Sequence, residues 1–511
     1  MTSQLLMGID VGTYSTKGVL CTPGGEILAQ HQVEHGLSVP RPGWAEHDAD
    51  AVWWDDVCTI SHVLLAQARV TGADVAAISV SGLGPDLVPL DEAGRALRPA
   101  ILYGIDTRSG SEIAELNARF GAEAMGDLSG MALSAQSIGP KILWLRRNEP
   151  DVYAQTRYLC SASSFLVYRL SGEYVLDHLT AAFFDPLYDI RALQWSDRYT
   201  DEIVGGVPLP PLAWPGEVVG QITERAARET GLCVGTPVTA GTIDVYPEAV
   251  SVGVHQPGDV MVVYGTTTCL ALVLENLAPN RAMWITPYGF PGSYCLLAGM
   301  ATTGALTRWF RDRFAPHEMA AEAAGGENAY AALTAEAERI PPGSEGLVIL
   351  PYFSGERTPL NDPDARGVIA GLSLAHGRGH LYRAILEATA YGVAHNLEEM
   401  QASGARPRRA VAAGGGAKSI LLPQIVSDVA GIEQDLPEKT VGAAYGDAFF
   451  AGLATGLVSR SDLEASWVRT VRRFVPDPDC QALYKEYYAV YRSLYPHIVS
   501  DLHALARLGR V

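Results

Sequence analysis

Lysine is nearly missing from this chain. Only Lys17, Lys141, Lys418, Lys439 and Lys485 occur in 511 residues, and none follows a glycine. A G-x-x-x-x-G-K-[ST] phosphate loop is thereby excluded. Cysteine is thin as well: the seven residues Cys21, Cys58, Cys160, Cys233, Cys269, Cys295 and Cys480 never form a C-x-x-C pair. That scatter predicts buried thiols in a reducing compartment, not a disulfide frame or a zinc site. No apolar run approaches the roughly eighteen residues of a membrane helix. The amino terminus, Met-Thr-Ser-Gln-Leu-Leu-Met-Gly-Ile-Asp, carries no basic residue before Lys17, so it lacks the charged start of a secretion signal. Positive charge is outweighed, 38 basic against 57 acidic side chains for a net −19. That balance disfavours a nucleic-acid or anionic-membrane surface. A cytoplasmic protein is the plain reading.

What is present is a globular composition, 48% hydrophobic and 19% charged, long enough for two large domains or three ordinary ones. The chain opens with the apolar run Leu5 to Ile9, breaks at Gly12, resumes as Gly18-Val19-Leu20, turns at Pro23-Gly24-Gly25 and continues with Ile27-Leu28. This predicts a strand meander. A helix capped by Asp48 follows through Trp53, Val57, Ile60 and Leu64, then strands at Ala76 to Val80 and Leu87 to Leu90. Strands alternating with helices predict an α/β fold. A second cycle starts near Pro237. Val260 to Val263 breaks at Gly265-Thr266-Thr267-Thr268 and resumes at Leu270 to Leu274. Gly12-Thr13 and Gly265-Thr266 read as counterparts, so the chain reads as two copies of one architecture, divided near residue 250. A further strand is expected over Arg409 to Ala413, with helices over Lys418 to Ala430, Leu381 to Met400, Val441 to Ala454 and Gln481 to Leu505.

Four segments could carry chemistry. Asp10-Val11-Gly12-Thr13-Tyr14-Ser15-Thr16-Lys17 joins a carboxylate able to hold Mg²⁺ through water to a turn whose N–H groups can approach phosphate. Read alone it is an ordinary hairpin. Its match with Gly265-Thr266-Thr267 makes a two-sided phosphate clamp the better explanation. Gly414-Gly415-Gly416-Ala417-Lys418-Ser419 would let a base or ribose lie against bare backbone, but it fails the G-x-G-x-x-G pattern at Ser419. Asp244 is the sharpest single residue. It follows a strand and precedes a helix start marked by Pro247, whose positive end would favour the ionised form. A carboxylate so placed can take a proton from a substrate hydroxyl; the alternative is a helix-capping aspartate. His376 and His380 have metal-like spacing, but Gly377 and Gly379 predict a loop with no carboxylate to complete a site. Trp53-Trp54 is expected to pack a helix, and no G-x-S-x-G elbow is present.

Taken together, these residues resemble the FGGY carbohydrate kinase family of the actin-like ATPase superfamily. The match runs through Asp10-x-Gly12-Thr13-x-x-x-Lys17, Pro42-Gly43-Trp44-Ala45-Glu46-His47-Asp48, Pro99 to Tyr103 with Asp106 and Arg108, Gly139-Pro140-Lys141, Ala240-Gly241-x-x-Asp244, Gly265-Thr266, Ser354-Gly355-Glu356-Arg357-Thr358-Pro359 and Gly414-Gly415-Gly416. The Ser-Gly-Glu-Arg-Thr-Pro run is most similar to the xylulokinase branch. The resemblance implies two ribonuclease-H-like domains, 1–249 and 250–511, with an interdomain cleft closing on ATP and a sugar. It implies Asp244 as general base and Asp10 near Mg²⁺. It places Gly12, Thr13, Lys17, Gly265, Thr266, Thr267, Gly414, Gly415, Gly416 and Lys418 on the nucleotide. Gly82, Asp86, Tyr103, Asp106 and Asp244 fall on the sugar. The partner implied is a small sugar or polyol, without nucleic acid or membrane, and a homodimer is compatible.

The departures fall where the sugar should bind. Where xylulokinases carry Gly-Gln-Met-His-Gly, this chain has Gly82-Leu83-Gly84-Pro85-Asp86, and Val245 replaces the Asn after the base. The Trp-Asn-Asp pattern becomes Tyr103-Gly104-Ile105-Asp106. Three hydrogen-bonding side chains are lost from a site built to read hydroxyls, which should change specificity. D-xylulose is therefore expected to be a poor acceptor, and another ketose or a polyol such as glycerol or erythritol a good one. The competing class is an actin-like ATPase acting on protein partners.

Overall fold

The computed structural model describes residues 4–509; residues 1–3, part of the segment read against a secretion signal, lie outside them. In chain order the elements that matter begin with β1 (Leu5–Val11), β2 (Ser15–Cys21), β3 (Ile27–Glu34), α1 (Asp55–Ala68) and β4 (Val75–Gly82). Next come α2 (Ile138–Asn148), α3 (Ala162–Ser171), β5 (Val218–Gln221), β6 (Pro237–Thr239), β7 (Thr242–Ile243) and α4 (Val245–Ser251). Then follow β8 (Asp259–Tyr264), β9 (Thr268–Leu274), β10 (Tyr294–Met300), α5 (Gly304–Phe314), α6 (Arg378–Ala402), β11 (Arg409–Ala413) and α7 (Leu421–Ala430). The last are β12 (Gln434–Pro437), α8 (Ala443–Thr455), β13 (Thr470–Phe474) and α9 (Pro478–Leu508).

The chain forms two compact units. The first combines residues 1–255, 275–295 and 441–469; the second combines 256–274, 296–440 and 470–511. In the first, the strand order is β5-β6-β4-β1-β2-β3, with β7 also on β4. β1 pairs antiparallel with β2 and parallel with β4, and β6 is parallel to β4 while β5 is antiparallel to β6. The second sheet contains the order β13-β12-β11-β8-β9-β10. Here too β8 pairs antiparallel with β9 and parallel with β11, β12 continues parallel, and β13 closes antiparallel. The doubling read from the two Gly-Thr breaks is thus present strand for strand.

Every residue of β1 is buried, as in a strand covered on both faces. On one side, α1 sets Ile60 and Leu64 over Gly18; on the other, α8 runs over Gly8. A Cβ at Gly8 would stand 2.0 Å from the Ala444 carbonyl oxygen, and one at Gly446 would stand 1.9 Å from that of Pro247. Glycine alone allows these approaches of helix to strand and helix to helix. Asp48 caps the helical start before α1, accepting from the Asp50 and Ala51 N–H groups at 3.0 and 2.9 Å. Trp53 and Trp54 are buried on that helix, as expected. The helix expected from Lys418 is interrupted: Gly415–Lys418 forms a 3₁₀ turn, and α7 starts only at Leu421. Among the described residues no helix is long and apolar enough to cross a membrane.

Candidate active site

Asp10 lies in β1 directly across from Lys17 in β2. The Gly12-Thr13-Tyr14-Ser15 turn between them closes through the Gly12 N–H on the Ser15 carbonyl at 2.9 Å. Thr13 Oγ1 lies 3.0 Å from the Tyr103 hydroxyl. On the other flank of β1, Ser81 Oγ of β4 lies 3.0 Å from Asp10 Oδ1 and 2.6 Å from Asp447 Oδ2 of α8. A serine hydroxyl has one hydrogen, so if both contacts are hydrogen bonds one of the two acids carries a proton.

Asp244 occupies the position before α4 with helical dihedral angles and no side-chain cap hydrogen bond, which removes the capping alternative. Its N–H donates to the Gly82 carbonyl at 3.0 Å, fixing it beside the end of β4. Its carboxyl is held well above the ordinary aspartate range by burial first, then by the negative fields of Asp10 and Glu248. The seven-residue α4 does not outweigh them, contrary to the expectation that its positive end would favour the ionised form. Burial also raises Asp10, against the Ser81 hydrogen bond and Lys17. It pushes Glu248 up to about 7 and lifts Asp447 well above the usual value. Asp244, Glu248 and Asp447 thus each feel the field of Asp10, and Lys17 acts against burial at Asp10 and Glu248. Asp447 is fully buried, and its Oδ1 has no hydrogen-bond partner. Nothing local marked it, because it sits inside an apolar helical run.

Beyond Gly82, Asp86 is fully buried: Oδ1 accepts from the Ala162 N–H at 2.9 Å, while Oδ2 has no partner. Burial pushes its carboxyl up to about 7, against Ala162 and Lys141. Lys141 of α2 is also fully buried and donates to the Ala135 carbonyl at 2.6 Å. Burial brings its amine down to about 8, opposed by Asp106, Asp86 and Asp185. Asp185, pushed up to about 8 by burial, accepts from Ser137 at 2.7 Å and leaves Oδ1 unpartnered. Asp106 differs: it takes Arg108 Nε and Nη2, and its oxygens also accept the Ala45 and Arg108 N–H groups. Its acceptor sites are spent inside the protein, with Arg108 also paired to Glu46 and lying 3.9 Å above the Trp44 ring.

In the second unit, the Gly265-Thr266-Thr267 turn is held by backbone donors at the start of α5. The Gly304 N–H reaches the Gly265 carbonyl at 3.1 Å, and the Ala305 N–H reaches that of Thr266 at 2.9 Å. Glu356, from the Ser-Gly-Glu-Arg-Thr-Pro run, accepts the Ala301 N–H at 2.7 Å and is pushed up to about 7 by burial. Gly414, at φ +80°, and Gly416 lie against Tyr264 at the end of β8, and Lys418 is exposed. His380 is not in a loop: it stands in the first turn of α6, and a carboxylate, Glu345, does reach its Nε2 at 3.2 Å. Among the described residues no group of three His, Cys, Asp or Glu could hold a metal ion.

Residues 5–251 match the model of the N-terminal domain of the FGGY family of carbohydrate kinases, and residues 260–455 match that of its C-terminal domain. The xylulose kinase of Escherichia coli K12 is 30% identical over 97% of this chain and 99% of its own length. An autoinducer-2 kinase of Enterobacter is 32% identical over 94% of this chain and 92% of its own. The crystal structure of xylulose kinase from Rhodospirillum rubrum superposes with a TM-score of 0.90 at 32% identity, covering 98% of this chain and all of that one.

Proposed function

The chain belongs to the FGGY family of carbohydrate kinases, an ATP-dependent sugar kinase by that membership, and from that premise we propose which residues do the work and what the acceptor is. Asp244 takes the proton of the acceptor hydroxyl as the phosphoryl group arrives. The observation that carries this is its buried, uncapped carboxyl at the start of α4, whose proton affinity is raised by burial first and then by the fields of Asp10 and Glu248. The Gly12-Thr13 and Gly265-Thr266-Thr267 turns present N–H groups and hydroxyls to the phosphates, Lys17 adds charge, and Gly414-Gly415-Gly416 with Lys418 flanks the adenosine. The donor set suits Mg²⁺: hard carboxylate oxygens, among them the buried and unpartnered Asp447 Oδ1. Asp10 would hold it, and when bound it neutralises phosphate charge. The setting is cytoplasmic in this reading, and a homodimer is compatible with it.

The acceptor is a small ketose or polyol that meets Gly82, Tyr103 and Asp86, with Asp106 holding the wall through Arg108. Leu83, Pro85 and Val245 offer D-xylulose no hydrogen bonds, whereas Asp86 Oδ2 stands buried and unpartnered. A buried polar group without a partner costs about 1–3 kcal/mol, so a hydroxyl that fills it is strongly selected. The test is kcat/KM at saturating MgATP across pentuloses, hexuloses, glycerol and erythritol. D-xylulose should fall well below the best acceptor; if it ranks first at roughly 10⁴ M⁻¹s⁻¹ or above, the reading of these three positions is wrong.

A further inference from the structure

His35 directly follows β3 and packs against the Gly12 turn. Its backbone N–H donates to the Tyr14 carbonyl at 3.0 Å. Its ring spans two groups: Nε2 lies 3.0 Å from the Gly12 carbonyl oxygen, and Nδ1 lies 2.8 Å from Asp56 Oδ2 of α1. The same Asp56 oxygen accepts from Thr16 Oγ1 of β2 at 2.7 Å. Side-chain exposure is 7% for His35 and 11% for Asp56, so little water is at hand to replace a lost contact.

Both ring nitrogens therefore face oxygens that accept only, a carbonyl and a carboxylate. The doubly protonated ring donates to both. Either neutral tautomer keeps one bond and turns a lone pair toward the other oxygen. The titratable groups facing the ring are Asp56 and His47, the latter edge-on at 5.1 Å. His47 accepts from Trp53 Nε1 at 3.0 Å, and burial, then His35, brings it down to about 4. Two adjacent histidines thus differ in setting: burial disfavours a charge on His47, while both His35 ring nitrogens face acceptor oxygens.

We infer that Thr16, Asp56 and His35 form a proton-dependent strut that positions the Gly12-Thr13 turn, so that nucleotide binding weakens when the His35 ring loses a proton to solvent. His35 is a positioning residue; it acts through the Gly12 carbonyl. The inference rests on the reading of that turn as a phosphate holder.

The experiment is the Kd of MgADP by calorimetry from pH 5.5 to 8.5, without acceptor, for the wild type, His35→Gln and Thr13→Ala. The phosphate's own protonation is common to all three and cancels in the comparison. Wild-type Kd should rise roughly tenfold, as for one lost charge-assisted hydrogen bond, beyond the change in His35→Gln, which should stay near the weak, alkaline value throughout. A merely structural role would shift Kd at every pH alike, and parallel profiles overturn the strut. If His35→Gln does not fold, Asp56→Asn provides the second measurement. Removing the carboxylate charge should move the wild-type step to lower pH, and an unmoved step overturns the strut equally. If Thr13→Ala binds MgADP as the wild type does, the phosphate reading of the turn fails instead.

Discussion

The two Gly-Thr turns stand at the same place in two sheets of the same strand order, yet they are supported by different chemistry. The first is braced by side chains: His35 on the Gly12 carbonyl, Asp56 and Thr16 behind it, Tyr103 on Thr13. The second is braced by backbone N–H groups of Gly304 and Ala305, which carry no charge and do not titrate. The surroundings differ in the same sense. Around the first, Asp10, Asp244, Glu248 and Asp447 are all raised by burial, and the last three also by the fields of neighbouring carboxylates. Near the second, Glu356 serves the backbone at Ala301. One frame, used twice, gathers buried carboxyl groups in one copy and leaves the turn of the other to backbone hydrogen bonds.

The largest effect should come from breaking this division at its most reactive group. Asp244→Asn should lower kcat by about a hundredfold or more while acceptor binding survives, whereas Glu356→Gln should lower it less than about fivefold. Comparable losses in steady-state assays would mean the second copy also carries the chemistry. A smaller effect separates the turns themselves. Thr266→Ala should raise the KM for MgATP roughly tenfold and leave the acceptor KM alone. Thr13→Ala should raise both, because its hydroxyl also touches Tyr103. Identical behaviour of the two variants would erase the distinction.

The smallest effect is on stability. Asp447 has a folded-state pKa above its unfolded value, so the folded form binds more protons and stability falls as pH rises above the ordinary carboxylate value. Asp447→Asn removes that loss. Its melting temperature should exceed the wild type's by roughly 2–4 °C at pH 8, and the gain should shrink toward pH 5. A gain independent of pH would show that Asp447 is not the acid that resists ionisation.

Much of this frame is legible in the chain. The apolar runs with glycine-threonine breaks give β1, β2, β8 and β9, and the Asp48 cap and the spacing of Ile60 and Leu64 give α1. Asp10 and Asp244 stand out because each ends an apolar stretch where a carboxylate has no packing reason to be. The rest was hidden by distance. Asp447 meets Ser81 across 366 residues, and in sequence it is one polar residue in the helix Ala443–Thr455. Asp86, Lys141 and Asp185 gather only through folding, and His35 finds Asp56 on another element. Asp106 illustrates the opposite case: its spacing to Arg108 was visible, but only geometry shows that all its acceptors are occupied.

The covering of Gly8 by α8 sets an order on the birth of the molecule. The strand made first is finished on one face by a helix made more than four hundred residues later, so a nascent chain leaving the ribosome carries β1 with that face bare until Ala443–Thr455 has emerged. The first unit cannot be completed until most of the second has been made, because its last segment, 441–469, follows 296–440 in the chain. A fragment ending before residue 441 would therefore present an apolar sheet face to chaperones rather than a smaller working domain.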